Sequence, residues 1–225
     1  MSTIKKALWK LRERLAALFT ADCMYCGKPT SGKSCFCEEC GKSLLNVGAY
    51  FPEHDVYVKA VSAGFYSGAA KAAMLGYKFG KNHENLLPDM LSMLTAAFEK
   101  YYSAADFDFA VCVPSFYGDY SESGNRLEEL AKAFCKKEGL QFCPVLKKIK
   151  RTKRQHDLPA AERRINLEGA FEASAEVHEK RVLLIDDIMT TGSTVLACSN
   201  ALREKGAAKI CVLTVLKTEN KNTVT

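Results

Sequence analysis

Residues 182–194 read VLLIDDIMTTGST, and this stretch decides the class of fold. Its first four residues, Val182, Leu183, Leu184 and Ile185, form a short continuous apolar run. Such a run suits a strand buried on both faces in a parallel sheet covered by helices. Two adjacent acids, Asp186 and Asp187, follow at its carboxyl end and are expected to reach solvent there. In open α/β sheets ligands lie outside the carboxyl ends of the strands, so these acids are placed to accept hydrogen bonds from vicinal hydroxyls, as on a ribose. Thr190, Thr191, Gly192, Ser193 and Thr194 then make a turn that enters a helical pattern over 195–205. Hydroxyls and backbone N–H groups at a helix start suit a phosphate, which the helix dipole also favours, and Gly192 lets the backbone come close. Two acids after a strand also occur in metal sites of other α/β proteins, and Thr-rich turns often only cap helices.

The segment closely resembles the phosphoribosyl diphosphate (PRPP) loop of type I phosphoribosyltransferases. The resemblance implies that Asp186 and Asp187 hold the ribose hydroxyls and that the loop from Thr190 to Thr194 cradles the 5-phosphate. It also implies magnesium, which accompanies PRPP.

Near the amino end, Cys23 and Cys26 form one CxxC pair, and Cys37 and Cys40 form another. Two such pairs separated by a short turn-rich segment can place four thiolates tetrahedrally around Zn2+. Gly27 and Gly41 directly follow the pairs. A glycine there permits a tight turn that aims backbone N–H groups at the sulfurs. Cys35 is a surplus thiol. Disulfides or buried thiols are the competing reading, but no secretory segment precedes the pairs. Cys112, Cys135, Cys143, Cys198 and Cys211 fall in apolar runs where free thiols pack as small hydrophobes. A site closed by four thiolates is structural, a staple for a segment too small to hold its own core.

A zinc knuckle followed by a PRPP loop in a chain of this length resembles the ComF family. Further stretches agree: Tyr66, Gly68, Lys71, Leu75 and the run Lys78, Phe79, Gly80; then Val113 and Pro114; then Gln155, Leu158, Arg163, Asn166 and residues 169–171. The resemblance extends from about residue 8 to 217. ComF relatives usually carry arginine, glycine, phenylalanine and asparagine, followed by glutamine, after the valine–proline strand. Here the corresponding residues are Ser123, Gly124, Asn125 and Arg126. In type I phosphoribosyltransferases this loop holds pyrophosphate, so the missing arginine removes a cation. Gly124, Asn125 and Arg126 are the remaining candidates, with Gln155 and Arg163 in the hood loop. Asp119 and Glu122 add negative charge, which favours a bound cation or weakens phosphate affinity.

At 225 residues, 48% of them hydrophobic, the chain can bury one α/β core and carry a small appendage. No apolar run approaches the ~20 residues that span a bilayer, and Arg12, Glu13 and Arg14 interrupt the first helix, so it is no signal peptide. The expected compartment is a reducing cytoplasm. The first helix, 4–19, lines Ile4, Leu8, Leu11, Leu15 and Leu18 along one stripe and is basic elsewhere, which suits packing, a partner or a membrane surface. From residue 55 onward, strand patterns at 57–66, 110–113, 145–149, 182–185 and 209–216 alternate with helical patterns at 69–79, 86–102, 126–138 and 193–205. That alternation implies a parallel sheet. The organisation expected is an amphipathic helix in 1–20, a four-cysteine zinc module in 21–46, a linker at 47–53, a phosphoribosyltransferase-like domain in 55–218 and a flexible tail in 219–225. The fold class is α/β, a type I phosphoribosyltransferase-like parallel sheet flanked by helices.

Lys147, Lys148, Lys150, Arg151, Lys153 and Arg154 crowd one segment, with Arg163 and Arg164 close behind, against a net charge of only +6. In a phosphoribosyltransferase this stretch forms the flexible hood, where its cations can meet a pyrophosphate or a nucleic-acid backbone. It also reads as a solvated charge run. Phe116, Tyr117 and Tyr120 offer stacking surfaces for single-stranded bases, and His156 is a candidate donor to a leaving group.

Three functions follow. By resemblance, a ComF protein binds PRPP or a related phosphoribosyl ligand and assists handling of single-stranded DNA in natural transformation, together with competence machinery proteins. A phosphoribosyltransferase of nucleotide metabolism would instead pass through an oxocarbenium-like state stabilised by Asp186 and Asp187. A module that senses PRPP without turnover is the third.

Overall fold

The computed structural model describes residues 21–30, 34–44, 49–51, 55–80, 83–114, 125–152 and 166–219. A short helix, α1 (Glu38–Leu44), follows the cysteine pairs. Strand β1 (Ala49–Phe51) comes next, inside the stretch expected to be a linker, because its backbone adds antiparallel to the edge of β2 (Lys59–Phe65). Helices α2 (Gly68–Phe79) and α3 (Leu87–Tyr101) lead to β3 (Phe109–Cys112). Helix α4 (Arg126–Glu138) starts at a capping Asn125 and stops at Gly139, whose φ of 70° is a glycine conformation.

Strands β4 (Leu146–Lys148) and β5 (Phe171–Ala173) pair antiparallel as a separate two-stranded sheet. The run at 145–149, expected as one more strand of the alternation, therefore stands outside the main sheet. Its lysines suit one exposed face rather than burial on both. Strand β6 (Arg181–Met189), helix α5 (Ser193–Glu204) and strand β7 (Lys209–Lys217) complete the fold.

The main sheet has the order β1-β2-β7-β6-β3, with β2, β7, β6 and β3 parallel. Central strands β6 and β7 are apolar on both faces because helices cover both. Leu183, Ile185, Cys211 and Leu213 pack on one side against Met74, Leu94 and Phe134 of α2, α3 and α4. Val182, Leu184, Ile210 and Val212 pack on the other against Val195, Cys198 and Leu202 of α5 and against Phe171 of the small sheet. Chain leaving β6 thus crosses one face, whereas chain leaving β2 and β3 crosses the other. That reversal opens a crevice at the carboxyl end of β6. Among the described residues no helix is long and apolar enough to cross a membrane.

Candidate functional site

Strand β6 outlasts its apolar run and carries both acids within it, Asp186 in register with Thr214 of β7. This corrects the expectation that the acids project into solvent. Asp186 is only 6% exposed and Asp187 is half-buried, because the sheet continues past them on the β7 side. Successive strand residues face opposite sides. Asp186 shares the face of Val182 and Leu184 under α5, and Asp187 that of Leu183 and Ile185 towards α2. Burial, with the charge of Asp187 beside it, raises the Asp186 carboxyl to about 8. Its Oδ1 accepts from the backbone N–H of Asp187 at 2.9 Å, and Asp187 Oδ1 accepts from the N–H of Ile188 at 2.6 Å.

Asp187 has a partner that its own motif does not announce. Lys78, in the last turn of α2, places Nζ 2.5 Å from Asp187 Oδ2. Burial works against the ammonium, but the adjacent Asp187 and the nearby Asp186 outweigh it and hold Lys78 above its ordinary value. Sequence reading singled out Lys78 only as part of a family run. A lone lysine 109 residues from the acid gives no local signal of the contact.

The loop after β6 turns through Gly192, whose φ of 77° lies in the left-handed region. Gly192 caps α5, its carbonyl accepting from the N–H of Leu196 at 2.8 Å. Thr191 Oγ1 and Ser193 Oγ lie 2.8 Å apart, and Thr190 and Thr191 are exposed. The structure thus brings Asp186, Asp187 and the five loop residues together where β6 runs into α5.

Asn125 and Arg126 lie elsewhere in this pattern. The Asn125 side chain caps α4, accepting from the N–H of Glu128 at 3.3 Å and donating to its carboxylate at 3.0 Å. The Arg126 guanidinium contacts His83 Nε2 and lies 3.6 Å from Glu129, and its carbonyl accepts from the Tyr77 hydroxyl at 2.8 Å. Asn125 also lines a cavity of about 510 Å³ bounded by Cys112, Pro114, Phe142 and Lys148. Gly124, Gln155 and Arg163 lie outside the described residues, as do the first helix, His156, Phe116, Tyr117 and Tyr120. Of the basic segment, Lys148 places Nζ 6.0 Å from the Phe171 ring centre across the small sheet.

The sulfurs of Cys23, Cys26, Cys37 and Cys40 all lie within 4.8 Å of one another, those of Cys26 and Cys37 at 3.6 Å. Zn–S bonds of about 2.3 Å in a tetrahedron give S···S edges of about 3.8 Å, so the four thiols fit such an ion. None of them is in a disulfide. Burial opposes ionisation of Cys23, but backbone N–H groups of Cys26, Cys37 and Tyr25 bring it down to about 6. Burial and the neighbouring thiols push Cys40 well up. Four crowded thiols cannot all ionise without a cation, and a dication removes that conflict. The two pairs are not alike. Gly27 takes φ 72°, its N–H donating to the Cys23 carbonyl at 3.0 Å, whereas Gly41 sits inside α1 and needs no special backbone. Cys35 stands apart from the cluster, its thiol donating to the Asn85 carbonyl at 3.6 Å.

A family model described as a phosphoribosyl transferase domain matches residues 122–223. Sheet, flanking helices and this match give a type I phosphoribosyltransferase-like fold, preceded by a four-cysteine cluster fit for zinc. DNA utilization protein YhgH of Escherichia coli (strain K12) is 24% identical over 226 residues, covering 97% of this chain and all of the relative. Competence protein F of Haemophilus influenzae is 41% identical over 71 residues, 30% of this chain and 31% of the relative. These relatives are named for DNA utilization and for competence. Among solved structures, glutamine PRPP amidotransferase from B. subtilis aligns at 23% identity with a TM-score of 0.40, over 63% of this chain and 30% of that one.

Proposed function

We propose that the chain binds PRPP or a related phosphoribosyl ligand at the carboxyl end of β6 and assists the handling of single-stranded DNA. One observation carries the ligand reading: two acids on β6 run directly into a Thr/Gly/Ser loop at the start of a helix, with a lysine from α2 at the second acid. Asp186 and Asp187 face the ribose hydroxyls and the loop from Thr190 to Thr194 takes the 5-phosphate. Mg2+ bound with the ligand would supply charge neutralisation at the pyrophosphate. In this reading residues 21–46 hold the zinc and 55–218 the ligand. The DNA part rests on the names of the relatives, a DNA utilization protein and a competence protein, and implies a cytoplasmic setting alongside other competence proteins.

A transferase is the second reading, favoured by the cavity of about 510 Å³ beside Pro114, one strand from the acids, which has room for a planar acceptor. In that reading Asp187, and Asp186 in its ionised form, stabilise positive charge developing on the ribose. Sensing without turnover uses the same ligand contacts.

Calorimetric titration with PRPP in magnesium tests the ligand reading. Binding by the native chain and its loss in the Asp186→Asn, Asp187→Asn double variant support it, whereas equal affinity in both sinks the ribose role. Pyrophosphate release on adding candidate bases separates transfer from binding alone.

A further inference from the structure

The two acids of β6 are not equivalent. Asp186 shares the strand face that α5 covers, and Asp187 the face that α2 covers. The loop at 190–194 leads into α5 and so belongs to the side of Asp186, whereas Lys78 reaches Asp187 from α2. A phosphoribosyl group with its 5-phosphate in that loop therefore runs across the strand end, from the α5 side to the α2 side. The order of carbons around the ribose does the rest. The 3-hydroxyl, nearer the 5-phosphate, falls to Asp186, and the 2-hydroxyl falls to Asp187. Whatever C1 carries is next to the 2-hydroxyl, on the side of Lys78.

The fold holds Lys78 at that place. Its neighbour Tyr77 is buried and donates its hydroxyl to the Arg126 carbonyl at 2.8 Å. The end of α2 thus touches the end of β6 through Lys78 and the head of α4 through Tyr77. Gly80 stops the helix two residues beyond Lys78. Its N–H donates to the Gly76 carbonyl at 2.8 Å, and a Cβ on Gly80 would collide with that same carbonyl.

Two acids beside a pyrophosphate repel it unless a cation stands between them. Arg126 turns its guanidinium to His83 and Glu129 instead. Lys78 has a side chain 31% exposed; burial opposes its charge, but Asp187 and Asp186 hold it. A 2-hydroxyl that donates to Asp187 takes the ammonium's position on the carboxylate. The flexible four-carbon stem then lets Nζ turn to the neighbouring group on C1.

We propose that Lys78 selects for a pyrophosphate on C1, serving as the counter-ion of Asp187 in the free protein and as the cation of the pyrophosphate in the complex. This role rests on the phosphoribosyl reading and adds to it a discrimination between PRPP and ribose 5-phosphate, which carries the same 5-phosphate and hydroxyls without the pyrophosphate.

Calorimetric titration of the native chain and of Lys78→Gln, with PRPP and separately with ribose 5-phosphate in magnesium, tests the role. The native chain is expected to prefer PRPP. Lys78→Gln should bind PRPP about tenfold or more weakly, the loss of one charged hydrogen bond, while its affinity for ribose 5-phosphate holds. Lys78→Arg keeps the charge and should keep most of the preference. An equal loss for both ligands overturns the role and makes Lys78 a residue that only positions Asp187. A preference unchanged in Lys78→Gln, or missing from the native chain, also overturns it and leaves the phosphoribosyl reading standing. A native chain that binds neither ligand removes both. Acetylation of amines on the native chain, followed by mass spectrometry at Lys78, reads the same contact without a variant. Ribose 5-phosphate should raise the reactivity of Lys78 and PRPP should protect it, and equal protection by the two ligands overturns the role.

Discussion

The Lys78 ammonium lies 2.5 Å from Oδ2 of Asp187 and ties the last turn of α2 to strand β6. In the free protein the lysine acts as the acid's counter-ion, at the position where a ribose hydroxyl would donate. Lys78→Gln and Asp187→Asn should therefore show a coupling of about 1 kcal/mol in a double-mutant cycle on folding stability. With saturating magnesium and PRPP the coupling should shrink, because the ligand's hydroxyls then engage Asp187. Denaturant unfolding of the four proteins, with and without ligand, measures both. A coupling indifferent to ligand would mean that the pair only staples α2 to the sheet.

Asp186 supplies a pH dependence with a definite sign. Its carboxyl sits at about 8 in the folded chain against 3.8 for the ordinary group. Between these values the folded state holds a proton that the unfolded state has released, so stability falls as pH rises through the window and levels off above about 8. Asp186→Asn cannot ionise and should lose this part of the slope. Relative to the native chain, the variant should gain at least about 1.4 kcal/mol between pH 5 and pH 8.5, the equivalent of one pKa unit. Urea unfolding at the two pH values decides it, and parallel slopes would show that Asp186 ionises normally.

Gly192 couples the loop's shape to its affinity. Its φ of 77° is unfavourable for any side chain, and a Cβ there would stand 3.0 Å from Cε of Met189. Gly192→Ala should cost about 1–2 kcal/mol of stability. It should weaken PRPP binding by more than an equally destabilising change remote from the loop, because the loop N–H groups lose their aim. Thermal unfolding and calorimetry on the same samples separate the two effects.

Much of this was readable from residue order, and the exceptions have physical causes. The pattern at 126–138 coincides with α4 because a cap at Asn125, amphipathic spacing and a stop at Gly139 all act locally. The strand at 182–185 was located but cut short. Apolarity marks burial by helices, whereas pairing with β7 carries the backbone on through Asp186 and Asp187 to Met189. Ala49–Phe51 reads as linker because an edge strand of three residues needs only a neighbour's free backbone groups, not a pattern of its own. Lys78 was out of reach for a different reason: its meeting with Asp187 is created by the packing of α2 against the sheet. The loop motif and the four cysteines were legible because their chemistry depends on spacing along the chain.

The cysteine cluster should govern stability through a contact with α2. Tyr25 and Met24 lie between Cys23 and Cys26 and rest on that helix. A Cβ on Gly76 would meet Met24 Cε at 2.8 Å, and one on Gly68 would lie 3.7 Å from the Tyr25 hydroxyl. The turn bearing these two side chains is set by the sulfurs on either side, so a metal holding the sulfurs also holds the docking surface. Metal analysis should give one zinc per chain, and Cys23→Ser with Cys40→Ser should lower metal content and melting temperature together. Gly76→Ala separates the two roles, because the new methyl displaces Met24, together with Leu86, whose Cδ1 would stand at 2.7 Å, while leaving all four thiols in place. It should keep the zinc and still lose stability, by about 1–3 kcal/mol for an overpacked contact. Full metal content with an unchanged melting temperature in Gly76→Ala would show that the cluster folds without leaning on α2. A native chain that melts at the same temperature with and without a chelator would remove the metal from the account of stability.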